Sequence, residues 1–471
     1  MKKSTTLNSF GITFSQLNAV FDAALSQGGD YCDLYFEHTI SHGLGMEDDA
    51  VNRAYSDVDF GVGIRVLSGE QTGYSFTEEI SQATLIRAAK TAAEIASNDK
   101  SLPTARLIRR SRPEYYPAKE SWEKVGIDRK LPLLQRLNER VYSLDSRIIK
   151  TTLILSSEVS KVTIATSDGI FVSDERPLFR MAVSCVAEDK GRKEQNSYSI
   201  SRRCGFEFVT PEVLDHLARE TVQRTVILFD AVKPGAGQMP VVMAAGHSGI
   251  LLHEAIGHGM EADFNRKKVS IFCDKVGRQV AEPFVTIVDS GVNPGSRGSL
   301  NIDDEGNDTQ ETVLVENGIL QGYLHDRISA AHYQVAPTGN GRRQDFRHPP
   351  MPRMRNTYML NGPHSKDDII AGVAHGLYAE SFSNGQVHIG GGDFTFYVKN
   401  GYLIENGRLD HPVKDVNIIG NGPDVLKQIT MVADDFEMSE GGWTCGKNGQ
   451  GVPVSQGMPT VKVAKMTVGG L

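Results

Sequence analysis

The sequence predicts an α+β protein in two parts. A mixed α/β domain over 1–235 precedes a β-rich domain over 236–471, barrel- or sandwich-like, around one buried helix with a candidate metal site. Three observations carry this reading. Helix-period and strand-period stretches alternate before residue 230. The stretch "DAVKPGAGQMP" (230–240), rich in Pro, Gly and Ala and without periodicity, reads as a linker. Beyond it, short β-like runs separated by glycine turns dominate.

The elements follow in order. Thr13 and Gln16 have capping-box spacing. Leu17, Val20, Phe21, Ala24 and Leu25 then form an apolar stripe that Gly28-Gly29 stops. "YCDLYFEHT" alternates as a strand, and "FGVGIRVLSGEQTGYSFTE" reads as a hairpin turning near Ser68-Gly69-Glu70. Helices are expected over about 81–96 and 131–142. Residues 149–209 read as a strand meander broken at "SDG" and "EDKGRKEQ", and Thr210-Pro211 starts another helix with Pro in its first turn. After the linker come an apolar strand, "MPVVMAA", and a helix carrying "LLHEAIGHGME" (251–261). "FTFYVKNGYLIENGR" carries a hairpin signal at "KNG", and one more helix is expected near 366–377.

Composition excludes several function classes. The formal charge of −8 is spread along the chain, and no basic tract marks a nucleic-acid or anionic-membrane footprint. Five scattered cysteines without a CxxC pair argue for a reducing compartment. The start "MKKSTTLNSFGITFSQ" lacks the apolar core of a leader, and no run approaches a membrane span, so a cytoplasmic protein is expected.

His253, Glu254 and His258 spell H-E-x-x-x-H, one residue longer than the H-E-x-x-H of zinc proteases. Residues four apart on an α-helix differ by about 40° around the axis, and residues five apart by about 140°. A regular helix therefore cannot present both histidines to one ion. Either a π-type turn or a distortion at Gly257 and Gly259 could bring them together. The competing explanation is a surface pair of Glu254 with His258, four residues on. The apolar neighbours Ile250, Leu251, Leu252, Ala255 and Ile256 favour burial, where such groups need partners. A catalytic zinc usually takes three protein ligands. Cys445, in the glycine-dense stretch "EGGWTCGKNGQG", stands out as a third, against the alternative of a small buried hydrophobe.

"HEAIGHGMEADFNRK", "TGNGRR", "PMPRMRNTYML", "GYLIENG" and "TCGKNGQGVPVSQGMPTVKV", with the N-terminal "FGVGIRVLSGEQTGYSFT", resemble in order and over nearly the whole chain the TldD/PmbA family, and more closely its HExxxH-bearing TldD branch. The resemblance implies a metalloprotease whose Zn2+ is held by His253, His258 and Cys445, with Glu254 as general base. It implies a dimer, with a PmbA-like subunit lacking HExxxH or with itself, enclosing a cavity that admits unfolded peptides. The family's link to DNA gyrase is read as an indirect consequence of proteolysis.

Other groups complete the expectation. His247 is assigned a structural role in preference to an oxyanion aid. Gly390, Gly391 and Gly392 are expected to let the backbone approach a peptide and pair with it as an added strand. The five arginines between 342 and 355 suit either a peptide-carboxylate loop or a solvated, ion-paired loop. Two other classes compete: a catalytically silent protein-binding scaffold or modulator, and a cysteine hydrolase built on Cys445. Chelator and thiol-blocker sensitivity separate them.

Overall fold

The computed structural model describes residues 10–96, 103–388 and 391–470. Gly390 and the first nine residues lie outside the described residues. Helix α1 (Phe14–Ala24) begins at the expected capping box: Thr13 Oγ1 accepts from Gln16 N–H, and Gln16 Oε1 accepts from Thr13 N–H at 2.9 Å. Strands β1 (Tyr31–Glu47), β2 (Ala50–Ser68) and β3 (Gln71–Thr77) follow, then helix α2 (Gln82–Ile95). The β2–β3 turn falls where the sequence puts it, with Gly69 at φ 59°. Strand β2 starts ten residues earlier than expected, because its exposed first half pairs with β1 without an alternating apolar signal.

A two-residue strand β4 (Ile108–Arg109) precedes α3 (Ile127–Leu144), β5 (Ile148–Thr166), β6 (Ile170–Asp189), β7 (Arg192–Arg202) and α4 (Pro211–Val226). Helix α3 begins four residues before the expected start. Pro132 lies inside it, and the buried face of Leu134, Leu137 and Val141 holds it in place. The strands form one sheet ordered β3-β2-β1-β5-β6, with β4 and β7 both pairing β6. All its pairings are antiparallel except β4 with β6.

These strands are long enough to carry two helix pairs side by side. Helices α1 and α2 cover one end through Leu34, Phe36, Ile64 and Phe171. Helices α3 and α4 cover the other through Leu155, Met181, Val183 and Ile200. Period-2 alternation sends the intervening residues to the opposite face. There Tyr35, Ile164 and Val172 meet Ile302 and Phe346 of the C-terminal half.

After the linker, β8 (Gly237–Met243) enters a closed five-stranded barrel. His375–His388 pairs parallel to β8 and antiparallel to Asp393–Glu405. The circle continues through Val416–Asn421 and closes when Val461–Gly470 returns to β8. A second, six-stranded sheet contains Ile287–Ser290, Glu311–Glu316, Asn356–Met359 and Ser455–Met458. The helical segment from Ile250 to Met260 is buried between them, with Leu251, Leu252 and Ile256 in one core with Val241, Leu377, Phe396 and Val463. No described helix is long and apolar enough to cross a membrane.

Two local expectations are corrected. The helix near 366–377 stops at Ala371, where Gly372 caps it, and Leu377–Ala379 pair with β8. The "KNG" signal is not a turn: Asp393–Glu405 runs straight through it, and the chain turns at Asn406-Gly407, both with positive φ. Asn400 is instead buried, accepting from Asn196 Nδ2 at 2.8 Å and donating to the Arg224 carbonyl at 3.0 Å. Gly401 is required by close approach, since a Cβ there would lie 2.4 Å from the Tyr378 carbonyl oxygen. Gly401→Ala is expected to cost about 1–3 kcal/mol, read as a lowered thermal midpoint. An unchanged midpoint would refute this account of Gly401.

Candidate metal centre

Of the two ways to align His253 with His258, the structure takes the π turn. It spans His253–Gly257 within a helical run that begins at Ile250. The His258 N–H donates to the His253 carbonyl, five residues back, so both imidazoles project from one side. Gly257 keeps ordinary helical angles, φ −57° and ψ −47°. The two glycines serve packing instead. A Cβ on Gly257 would lie 2.0 Å from Met354 Sδ, and one on Gly259 would lie 2.7 Å from the Phe272 ring.

Cys445 arrives from 187 residues away. It sits on the strand Thr444–Lys447, paired with Gln450–Pro453, and not in an irregular loop. The hairpin turns at Asn448-Gly449, with φ of 49° and 75°, the two left-handed residues that a tight hairpin demands. His253, His258 and Cys445 are all buried, and their ligand atoms lie within 4.8 Å of one another. Cys445 Sγ is 3.5 Å from His258 Nε2, and the imidazole rings stand 5.1 Å apart at 81°. Tetrahedral zinc with ordinary Zn–N and Zn–S bonds spaces such a pair by about 3.6 Å. His253 Nδ1 is buried without a hydrogen-bond partner among the described residues. Burial alone would raise the Cys445 thiol pKa, but His253 and His258 outweigh it and hold it well below its ordinary value, the thiolate form that metals take.

Glu254 is half-buried on the same turn, and no hydrogen bond or ion pair ties its carboxylate among the described residues. The expected surface pair with His258 does not form. His258 Nδ1 lies 3.0 Å from Glu261 Oε2 instead, which directs Nε2 toward Cys445. Glu261 is fully buried and meets Lys447 Nζ at 3.0 Å and Arg353 Nε at 4.0 Å. Burial acts to raise its carboxyl, yet Lys447, His258 and Arg353 hold it at about 2. Lys447 also binds Asp263 at 2.7 Å and the Pro352 carbonyl at 3.0 Å, and Arg353 donates to the Cys445 carbonyl at 2.5 Å. One ionic cluster therefore clamps the histidine segment to the cysteine strand. Sequence reasoning did not single out Glu261, Lys447 or Asp263. The only local signals were Glu261 three residues after His258 and Lys447 two after Cys445, on the same strand face.

The arginine stretch is ion-paired but not solvated. Arg342, Arg343, Arg353 and Arg355 are buried; Arg343 pairs with Asp33 and Arg355 with Asp289. Arg347 pairs with Asp59 and Glu78 at the surface. Gly391 and Gly392 form the turn between His375–His388 and Asp393–Glu405, far from adding a strand. Their N–H groups donate to the His388 carbonyl, and their carbonyls accept from Asn421 and Gly422. His247 lines a cleft between the two halves, its Nε2 buried without a partner among the described residues. Burial and Arg224 lower its pKa to about 4, so it is neutral.

Comparison with known proteins agrees with this architecture. Three consecutive family models match: the PmbA/TldA metallopeptidase domain 1 over 32–96, the central domain over 120–229 and the C-terminal domain over 236–470. A metalloprotease TldD homolog of Haemophilus influenzae is 40% identical over 99% of this chain and 98% of its own. A zinc metalloprotease TldD homolog of Saccharolobus solfataricus is 29% identical over 94% and 97%. Two solved structures share the fold: a proposed modulator of DNA gyrase from Thermotoga maritima (TM-score 0.79, 22% identity, 97% and 99% covered) and TldE from Thermococcus kodakarensis (0.76, 17%, 97% and 100%). With its full length aligned to such relatives, the chain belongs to the TldD/PmbA family of metallopeptidases.

Proposed function

We propose that this chain is a zinc-dependent peptidase of the TldD type, with His253, His258 and Cys445 as ligands and Glu254 as general base. The observation that carries the proposal is the buried His-His-Cys set, assembled from two distant segments with its ligand atoms within 4.8 Å. His253, His258 and Cys445 would hold the zinc, which would supply Lewis-acid chemistry toward the scissile carbonyl and water. Glu254, free of any competing partner, takes a proton from the attacking water and returns it to the leaving amine. Glu261 holds His258 through Nδ1, which leaves Nε2 as the nitrogen facing Cys445 and the metal position. The buried walls around Leu252, Ile256 and Met354 exclude bulk water.

The substrate class is short or unfolded peptide, cleaved in the cytoplasm inside a dimer cavity. Residues 1–235 wall that cavity and 236–471 carry the chemistry. The dimer partner is a PmbA- or TldE-like subunit or a second copy, and the TldE-like fold supports the first. A silent scaffold has no use for a buried thiolate beside two imidazoles. The Cys445–His258–Glu261 chain has the order of a nucleophile, base and orienting acid, which gives the cysteine-hydrolase reading its one support. That reading leaves His253 without a role.

The test is metal content. Protein purified without chelator is expected to hold about one zinc per chain, and Cys445→Ala clearly less. Chelator removes both metal and cleavage. Cleavage that survives chelator but not a thiol blocker would move the cysteine-hydrolase reading to the front, and absence of binding when zinc is supplied would end the metallopeptidase reading.

A further inference from the structure

Between the open face of the long sheet and the C-terminal half lies a cleft of about 510 Å³. Its floor is the face of β5, β6 and β7 turned away from the helices, and its far wall includes His247 and the segment 441–443. Those two segments run directly into the metal ligands, His247 six residues before His253 and Trp443 two before Cys445. Among the described residues, the charged ones lining it are Arg180, Arg224 and Lys399, with no carboxylate.

Arg180 is the unusual member. Its guanidinium makes no hydrogen bond and no ion pair among the described residues, and its Nε is fully buried and unsatisfied. Burial alone acts on its pKa, with no neighbouring acid to offset it. It lies against Gly442, where a Cβ would come within 2.6 Å of Nε. Glu158 shares an adjoining cavity of about 290 Å³ with Arg180 but forms no ion pair with it. Arg224, by contrast, is paired with Glu220. A half-buried cation without a partner carries part of the desolvation cost, which a bound anion would offset. The cavity on the other side, which shares Tyr198, Arg224 and His247, holds Glu220, Glu380, Asp435, Glu437 and Glu440. Charge thus separates along the cleft, and an anionic group is steered to the Arg180 end.

We propose that Arg180, in a cleft that Lys399 also lines, is a specificity-determining subsite for a carboxylate of the peptide substrate. The proposal rests on the peptidase reading above. The guanidinium offers paired donors for a planar carboxylate, and the missing Cβ of Gly442 makes room for the Arg180 side chain. The carboxylate belongs either to an Asp or Glu side chain or to the peptide's C-terminus.

The experiment uses the zinc-loaded full chain and peptides from a chymotryptic digest of unfolded casein, offered free or with every carboxyl amidated. Retention is measured on Glu254→Gln protein by ultrafiltration and mass spectrometry, and cleavage on wild type. Amidation is expected to cut retention about tenfold, Arg180→Gln added to the Glu254→Gln background to cut it similarly, and Arg180→Lys to restore part. Retained peptides sharing a fixed offset from the C-terminus identify the terminal carboxylate, and a fixed offset from Asp or Glu identifies the side chain. Cleavage by wild type with retention indifferent to amidation and to Arg180 overturns the subsite and leaves the peptidase reading standing. If the free mixture is neither retained nor cleaved, both fall together.

Discussion

Glu254→Gln is expected to keep zinc at the wild-type level while peptide cleavage falls by about 10²–10⁴-fold. The substitution preserves shape and removes only the capacity to take a proton. Glu254 contributes no ligand atom to the His-His-Cys set, and no described residue depends on it for a hydrogen bond or ion pair. Metal occupancy and thermal stability should therefore be unmoved, which makes the change in rate interpretable. The loss should appear in kcat more than in KM, because the proton transfer belongs to the transition state. A variant that cleaves at the wild-type rate with zinc bound would remove Glu254 from the general-base role. A variant that loses zinc would make it part of the metal site instead.

Glu261→Gln is expected to weaken zinc affinity about 10–100-fold, the usual effect of losing a carboxylate that orients a metal-bound histidine. The physical reason is on both sides of the carboxylate. Toward the metal it fixes His258 through the 3.0 Å contact at Nδ1. Away from it, it neutralises Lys447, which stands on the Cys445 strand. Removing the charge leaves a buried ammonium short of one partner, although Asp263 still reaches it. Breaking a buried pair of this kind costs about 3–5 kcal/mol, and Asp263 should reduce that figure here. The measurement is competition for zinc with a chromophoric chelator, on protein whose folding is checked by near-UV circular dichroism. A folded variant with affinity within about twofold of wild type would reduce Glu261 to a purely structural ion pair.

How far the sequence reaches depends on the range of the interaction. The helix cap at Thr13, the turn at Gly69 and the helix start at Pro211 were legible because each is decided by a few adjacent residues. The same local logic misread "KNG". Asn400-Gly401 has the chemistry of a hairpin turn, but Asn400 is held by Asn196 and Arg224 from the other half of the chain and Gly401 by the Tyr378 carbonyl. In the three-glycine stretch the described members, Gly391 and Gly392, form the turn of a barrel hairpin.

The candidate site divides along the same line. The spacing of His253 and His258, with Glu254 beside the first, by itself determined that a shared ion needed something other than a regular α-helix, since helical geometry is periodic and countable. Only the tertiary structure decided that a π turn supplies it, with Gly257 and Gly259 conceded to Met354 and Phe272. Only the tertiary structure brought Cys445 across 187 residues to His258 and closed the Glu261–Lys447–Arg353 cluster behind it. Pairings of that kind depend on which strand faces which, and no local periodicity encodes them. Arg180 is the clearest case. In sequence it is one of many arginines on alternating strands. It becomes distinctive only when the fold buries its Nε, leaves it without an ion pair among the described residues, and opens the cleft beside the cysteine strand.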